Sequence, residues 1–146
     1  MEYKKQDNCF FVRLEPGEEI VESLTKLCKH EQILAGTVSG LGATNEVTVG
    51  LFDTASKQYF ANTYTGDMEI TTLSGNISRK DGEEYLHLHI NVADRSNRVI
   101  GGHLSRCVIS VTAEIVMTAF PIATARTPDD NLGINLLHFP DGTYLK

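Results

Sequence analysis

Apolar and polar residues alternate most regularly between Tyr85 and Asp94. The apolar positions are Leu86, Leu88, Ile90 and Val92, and the positions between them are Tyr85, His87, His89 and Asn91. Successive side chains of a strand point to opposite faces of its sheet. The pattern therefore predicts a strand whose apolar face lies in a core and whose other face carries two histidines.

Similar runs predict further strands along the chain, separated by glycine-rich or polar turns. The predicted strands are Cys9–Leu14, Ile33–Ser39, Glu46–Asp53, Gln58–Thr65, Met68–Arg79 and Cys107–Ala119. Gly40-Leu41-Gly42 indicates a tight turn or a close approach of backbones, Gly66-Asp67 a turn, and Gly75 a bulge. In the strand from Cys107 to Ala119, the predicted core face is Ile109, Val111, Ala113, Ile115 and Met117.

A helix is predicted from Glu18 to His30. Its apolar residues recur at helical spacing, with acidic residues near the start and basic residues near the end, as the helix dipole favours. One helix among hairpin-connected strands predicts an α+β fold around a largely antiparallel sheet. We expect a single domain over residues 1–146, with a core at about 9–120. Residues 121–146 would form a C-terminal arm with a Thr127–Asn131 loop and one short strand near Asn135–Phe139.

The histidine spacing makes a metal site plausible. By strand rise, His87 and His89 lie about 7 Å apart on one face. A turn at Arg95–Arg98 and the pair Gly101-Gly102 would let His103 return to the same region. Three neutral imidazoles leave one position of a tetrahedral zinc free for water or substrate. The alternative is that His-x-His is a polar pair on a half-exposed strand face.

Glu114 is the carboxylate that such a site could use. If its face joins the histidine face, Glu114 could orient a ligand, bind the ion or act as a general base. Otherwise it is an ordinary surface acid. His138 lies among apolar residues, and we expect it to be a packing residue rather than a ligand.

Composition narrows the class of protein. The net charge of -6 and the pI of about 5.3 argue against a duplex-binding surface that neutralises phosphates. Neither a membrane-spanning apolar run nor a secretion signal is evident, so we expect a soluble, cytoplasmic protein without membrane contact. The three cysteines, Cys9, Cys28 and Cys107, are widely spaced and are interpreted as reduced core thiols.

Five motifs follow one another along the chain: Arg13-Leu14-x-Pro16-Gly17-Glu18, Gly40-Leu41-Gly42-Ala43, Leu73-Ser74-Gly75-Asn76-Ile77, Leu86-His87-Leu88-His89 and Gly101-Gly102-His103-Leu104. Their order resembles the Plants and Prokaryotes Conserved (PPC) domain between about Phe10 and Ala119. The resemblance implies a compact α+β homotrimer, found alone in prokaryotes and joined to AT-hook motifs in plant nuclear proteins. It also implies zinc on His87, His89 and His103, and an acidic residue at the position of Glu114.

Two classes of function follow. The first is a homotrimeric, metal-binding assembly or regulatory module with a protein partner or small-molecule ligand. The second is a zinc-dependent hydrolase or lyase that acts on a small molecule, with Glu114 handling a proton. Sequence-specific DNA binding, the family's frequent label, is a weaker third hypothesis. The chain contains no Arg-Gly-Arg-Pro AT-hook, and its acidic balance offers no replacement for minor-groove contacts.

Overall fold

The computed structural model describes residues 1–144. Within these residues the chain forms one helix and eight strands, so the fold is α+β or mostly β. The elements are β1 (Glu2–Gln6), β2 (Cys9–Leu14), α1 (Ile20–Glu31), β3 (Gly36–Asp53), β4 (Gln58–Lys80), β5 (Glu83–Ala93), β6 (Val99–Ala119), β7 (Ala125–Asp129) and β8 (Ile134–His138). The single helix and the antiparallel sheet were both predicted from the sequence.

Six strands form one antiparallel sheet in the order β1-β2-β6-β3-β4-β5. Strand β5 also pairs with β6, so the four long strands β3, β4, β5 and β6 close into a ring. Each of these strands turns alternate apolar side chains inward, and the buried residues form one core. Each of the four strands contributes to that core, for example Val38 of β3, Leu73 of β4, Leu88 of β5 and Ile115 of β6. Helix α1 packs against β5 and β6.

Helix α1 lies within one or two residues of its predicted bounds. The Glu19 carboxylate caps its start by accepting a 2.7 Å hydrogen bond from the Glu22 amide. Gln32 ends the helix in the left-handed conformation, and its amide bonds to the Cys28 carbonyl. Helix α1 has 12 residues, and nowhere in residues 1–144 is a helix long and apolar enough to cross a bilayer.

The predicted breaks within β3 and β4 are wrong, because each strand runs through its glycines. The alternative of a close backbone approach is confirmed: a Cβ at Gly42 would lie 2.4 Å from the Thr112 carbonyl oxygen on β6. Gly66 lies at a register shift, between the pairs Thr44–Met68 and Glu46–Thr65. The φ of Gly66 is +113°, a conformation that favours glycine. Gly66 therefore lets β4 accommodate one extra residue as a bulge without ending the strand.

Two finer predictions about the strands are also corrected. Gly75 pairs regularly with Val38 and Leu88 and marks no bulge; a Cβ there would lie 2.0 Å from the His87 carbonyl oxygen. Val111 is exposed rather than buried. The β3–β6 pairing shifts between Ile109 and Ala113, which breaks the inward alternation at Val111.

The C-terminal arm is more ordered than its sequence pattern indicates. It contains two paired strands, β7 and β8, instead of one. Part of the predicted Thr127–Asn131 loop belongs to β7, and the turn lies at residues 130–133. Strand β7 packs against β4, which brings the arm to the sheet beside the histidines.

The core thiols are placed largely as predicted. Cys28 and Cys107 are buried, while Cys9 is partly exposed. Burial raises the pKa of the Cys28 thiol to about 12 and that of Cys107 to about 11. Both thiols are therefore neutral packing groups rather than nucleophiles.

Candidate metal centre

Strand β5 presents His87 and His89 on the face opposite its core residues. Leu88 and Ile90 are each 1% exposed, so the hydrophobic core fixes the rotation of the strand about its axis. The histidine side chains therefore point outward from a stiff element. This is the arrangement that the alternation predicts.

His103 reaches the same place from β6, where it is the direct cross-strand partner of His89. A tight turn stabilises this register: the Asp94 carboxylate accepts hydrogen bonds from the amides of Ser96 and Arg98 at 2.7 and 3.1 Å. Gly101 permits the close approach, because a Cβ there would lie 2.0 Å from Asn91 Oδ1. The hairpin therefore brings the third imidazole to the other two.

The three imidazoles converge on one point. One ring nitrogen from each of His87, His89 and His103 lies within 4.8 Å of the others, and the ring centroids are 5.1–5.6 Å apart. Three nitrogens at about 2.1 Å from a tetrahedral ion are about 3.4 Å apart, so small side-chain rotations would suffice to bind one. Within residues 1–144 the cluster includes no fourth cysteine, histidine or carboxylate ligand. A bound ion would thus keep an open position.

The electrostatics keep two of the rings neutral. Burial lowers the pKa of His87 to about 4, with smaller contributions from Arg126, His103 and His89. Burial and His89 also lower the pKa of His103. A metal ligand must offer a lone pair, so neutral imidazoles at physiological pH are suited to metal binding.

The histidines line a cavity of about 450 Å³, which we call the histidine cavity. Its walls are Gly50, Leu51, Phe52, Tyr59, Tyr85, His87, His89, His103, Arg126, Gly133, Ile134 and Asn135. Tyr59 stands edge-on to His103 at 6.0 Å between centroids, and its hydroxyl lies 2.9 Å from Ser105 Oγ. The tyrosine ring thereby supports His103 from the side away from β5.

Arg126 contributes the one guanidinium of the cavity wall, and its side chain comes from β7 in the arm. The residue is buried, and its Nη2 lies 3.4 Å from His87 Nδ1. Nη2 also donates to Asn76 Oδ1 at 2.7 Å, and Nε donates to Ser78 Oγ at 3.0 Å. Burial lowers the pKa of this guanidinium, and nearby Tyr85 opposes that effect.

Comparison with known proteins agrees with this architecture. The family model described as the Plants and Prokaryotes Conserved (PCC) domain matches residues 1–121. This is the family abbreviated above as PPC. This chain belongs to the PPC domain family.

Relatives of this PPC domain occur alone and within longer proteins. The bifunctional protein GlmU of Synechococcus sp. strain JA-2-3B'a(2-13) is 35% identical over 130 residues, which are 87% of this chain and 19% of that protein. The chain thus spans about a fifth of the length of the curated relatives that it matches.

Two crystal structures share the whole fold. A candidate DNA-binding protein from Bacteroides thetaiotaomicron is 36% identical with a TM-score of 0.92, over 94% of this chain and 96% of that one. A metal-containing protein from Archaeoglobus fulgidus is 27% identical with a TM-score of 0.83, over the same shares.

The PPC fold does not bring Glu114 to the histidines within one chain. Glu114 lies eleven residues beyond His103 on β6, opposite Arg13 and Leu41. It lines a different cavity, of about 700 Å³, together with Phe11 and Val116. A general base must lie within hydrogen-bond reach of the proton that it takes, and Glu114 lacks that position here.

His138 ends β8 opposite Ala125. It lies outside the cluster of three histidines, as expected of a packing residue. Tyr59 and Arg126 also line the histidine cavity, and neither was predicted from the sequence. Tyr59 lies in an alternating strand without distinguishing neighbours, and Arg126 follows Pro121 in a stretch without periodicity. No local signal identifies either residue.

Proposed function

We propose that this PPC-domain protein binds a divalent metal, preferably zinc, on His87, His89 and His103. The observation that carries the proposal is the convergence of three imidazole nitrogens within 4.8 Å on two rigid strands. An all-nitrogen set suits zinc better than magnesium or calcium, which prefer oxygen. The Archaeoglobus fulgidus relative is a metal-containing protein, which supports a metal in this fold.

The test is elemental analysis of untagged protein purified without chelators. The His87→Ala/His89→Ala variant removes two ligands, and His30→Ala/His138→Ala removes two histidines outside the cluster. We expect close to one zinc per chain in the wild type and the control variant, and less than about a tenth of that in the ligand variant. A wild-type protein that holds no metal and refuses added zinc would contradict the proposal.

We also propose that the chain assembles as a homotrimer and serves as an assembly or regulatory module. An outer apolar face consists of Phe11, Leu41 and Val116, which are 65%, 56% and 37% exposed. Phe11 and Val116 are cross-strand partners, so the face is continuous across β2 and β6. Exposed apolar surface of this kind is typical of a protein interface.

A second feature supports self-association. The first ten residues of β4, 58–67, are all exposed, and residues 58–65 pair only with β3 within residues 1–144, so their outer edge lacks a strand partner in that part of the chain. Open strand edges are usually covered by another segment or chain. Sedimentation equilibrium should give three times the chain mass of 16.1 kDa, and a monomeric mass would contradict the trimer.

A metal-dependent enzyme, a hydrolase or lyase of small molecules, is the second candidate function. The open coordination position beside a cavity of about 450 Å³ favours it. Turnover that disappears on chelation and returns with zinc would support this candidate.

DNA binding is less well supported for this chain. Six basic side chains already form ion pairs with carboxylates, namely Lys5, Arg13, Lys29, Arg79, Arg98 and Arg106. With a net charge of -6, little positive surface is left to neutralise phosphates.

A further inference from the structure

Arg126 is a buried cation that lies 5.1 Å over the Tyr85 ring and has no acidic partner in the described part of the chain. Its residue is 8% exposed, and no carboxylate in residues 1–144 lies within ion-pair distance of its guanidinium. Its oxygen acceptors are all neutral: Ser78 Oγ, Asn76 Oδ1 and the Asn135 carbonyl at 3.3 Å. Burying an unpaired charge is unfavourable, so the position calls for an anion from elsewhere.

These three contacts leave two N–H donors of the Arg126 guanidinium without an oxygen acceptor in the described part of the chain. A guanidinium has five N–H groups, and three of them serve the neutral oxygens. The fourth faces His87 Nδ1 at 3.4 Å, which is a long contact, and the fifth has no acceptor in the described part of the chain. Both remaining donors sit on the terminal nitrogens, as bidentate recognition of two oxygens requires.

Metal binding would release the contact with His87. A neutral imidazole has one ring lone pair, which cannot serve a metal and an Arg126 N–H together. Once that lone pair is committed to the ion, His87 no longer accepts from Arg126, whichever ring nitrogen binds. The freed donor then needs another acceptor within the histidine cavity.

The walls of the cavity indicate the kind of anion. Leu51, Phe52, Tyr59 and Ile134 supply apolar and aromatic surface around the guanidinium and the histidines. Among residues 1–144 no lysine and no second arginine lines the cavity, so these side chains offer an anion one positive charge. A single planar carboxylate matches the charge and the fork of one arginine.

We propose that the histidine cavity binds a small organic carboxylate, with the carboxylate on the terminal nitrogens of Arg126 and its apolar body against the aromatic wall. This inference deepens the proposed metal site and rests on it for the freed donor. Arg126 would be a specificity-determining residue that selects acids over neutral molecules of the same shape.

The test is calorimetric titration with benzoate, its neutral analogue benzamide, and inorganic phosphate at constant ionic strength. Each probe is titrated into zinc-loaded and chelator-treated wild type and into two variants. Arg126→Gln removes the cation of the cavity, and Arg106→Gln removes a surface arginine that is paired with Glu46. Circular dichroism and zinc content are measured for every preparation.

We expect the zinc-loaded wild type to bind benzoate at least tenfold more tightly than benzamide or phosphate. Arg126→Gln should lose this preference while it keeps its zinc and its fold, and Arg106→Gln should match the wild type. Equal binding of benzoate and benzamide, or an unchanged preference in Arg126→Gln, would overturn the proposal. Tighter binding of phosphate would overturn the assignment to a carboxylate.

The two proposals fail separately. A protein that binds no zinc but prefers benzoate through Arg126 refutes the metal site and keeps the anion site. A zinc-loaded protein that shows no preference for benzoate supports the metal site and refutes the anion site. If Arg126→Gln does not fold, wild-type crystals grown with benzoate decide: a carboxylate within about 3.5 Å of the guanidinium supports the proposal, and its absence from that position overturns it.

Discussion

The histidine cavity and the outer apolar face around Glu114 differ in the polar groups that each brings together. The cavity beside Glu114 is the larger, at about 700 against 450 Å³, yet Glu114 there is exposed and joins no ligand cluster. The histidine cavity gathers three convergent ligand atoms and a buried guanidinium that has no carboxylate partner within residues 1–144. Convergent and desolvated polar groups, rather than volume, indicate chemistry.

The sharpest test of this comparison is a pair of substitutions on one strand. His103→Ala should lower zinc affinity by more than about 100-fold, since even groups that only orient a ligand contribute 10–100-fold. Glu114→Gln should leave zinc affinity unchanged, because Glu114 lies outside the cluster. Competition with a chromogenic chelator measures both. A large loss in Glu114→Gln would show that assembly brings this carboxylate to a neighbouring site.

The outer apolar face should respond in the opposite way. Phe11→Glu combined with Val116→Glu places two adjacent charges on it, and we expect the trimer to dissociate because each buried carboxylate would lack a partner. Light scattering after gel filtration measures the mass. Leu34→Glu, at an exposed apolar position outside this face, is the control and should remain trimeric.

Zinc content should survive the dissociation if the histidine site is complete in one chain. Loss of both trimer and zinc in the Phe11/Val116 variant would instead show that assembly is needed to form the site.

Acid should destabilise the metal-free protein through the half-buried His87. Its pKa is lowered to about 4 in the folded state, from about 6.5 when unfolded. The unfolded chain therefore binds more protons between these values, and stability falls as pH falls from about 6.5 to 4. At about 1.4 kcal/mol per pKa unit the upper limit is about 3 kcal/mol, and because solvent screens this half-buried ring we expect a loss of about 1–2 kcal/mol.

Urea unfolding at pH 7 and pH 4.5 measures this effect with the metal removed. His87→Asn should lose less stability than the wild type over that interval, by about 1–2 kcal/mol. His30→Asn controls for removal of an exposed histidine. An identical pH dependence in the wild type and His87→Asn would contradict the assignment.

The smallest expected effect is that of Tyr59→Phe. Removing the hydroxyl deletes the hydrogen bond to Ser105 Oγ, worth about 1 kcal/mol, while the ring stays beside His103. We expect a stability loss of that size in thermal unfolding, with zinc affinity reduced by less than about tenfold. A much larger loss of zinc would make Tyr59 part of the metal site rather than its support.

The prediction of the site from sequence succeeded where local geometry sufficed. The two-residue period of a strand alone places His87 and His89 on one side and Leu88 and Ile90 on the other. A turn signal and two glycines predicted the return of His103, and the observed register pairs it with His89. These features depend on neighbours within about twenty residues.

Glycine was ambiguous for a physical reason. The absence of a Cβ permits both a turn and a close backbone approach, and the local sequence does not distinguish them. At Gly42 the neighbouring strand β6 determines which of the two occurs, because only a residue without a Cβ fits against the Thr112 carbonyl oxygen. The same long-range pairing keeps β3 and β4 continuous where turns were predicted.

The sequence by itself determined the strand alternation, the helix, the histidine face and the acidic charge balance, because each follows from the chain's own spacing or composition. Only the tertiary structure decided that Arg126 enters the histidine cavity and that Glu114 does not. Arg126 lies 39 residues from His87 along the chain and meets it through the packing of β7 on β4. Such contacts depend on the closure of the whole sheet, which no local pattern encodes.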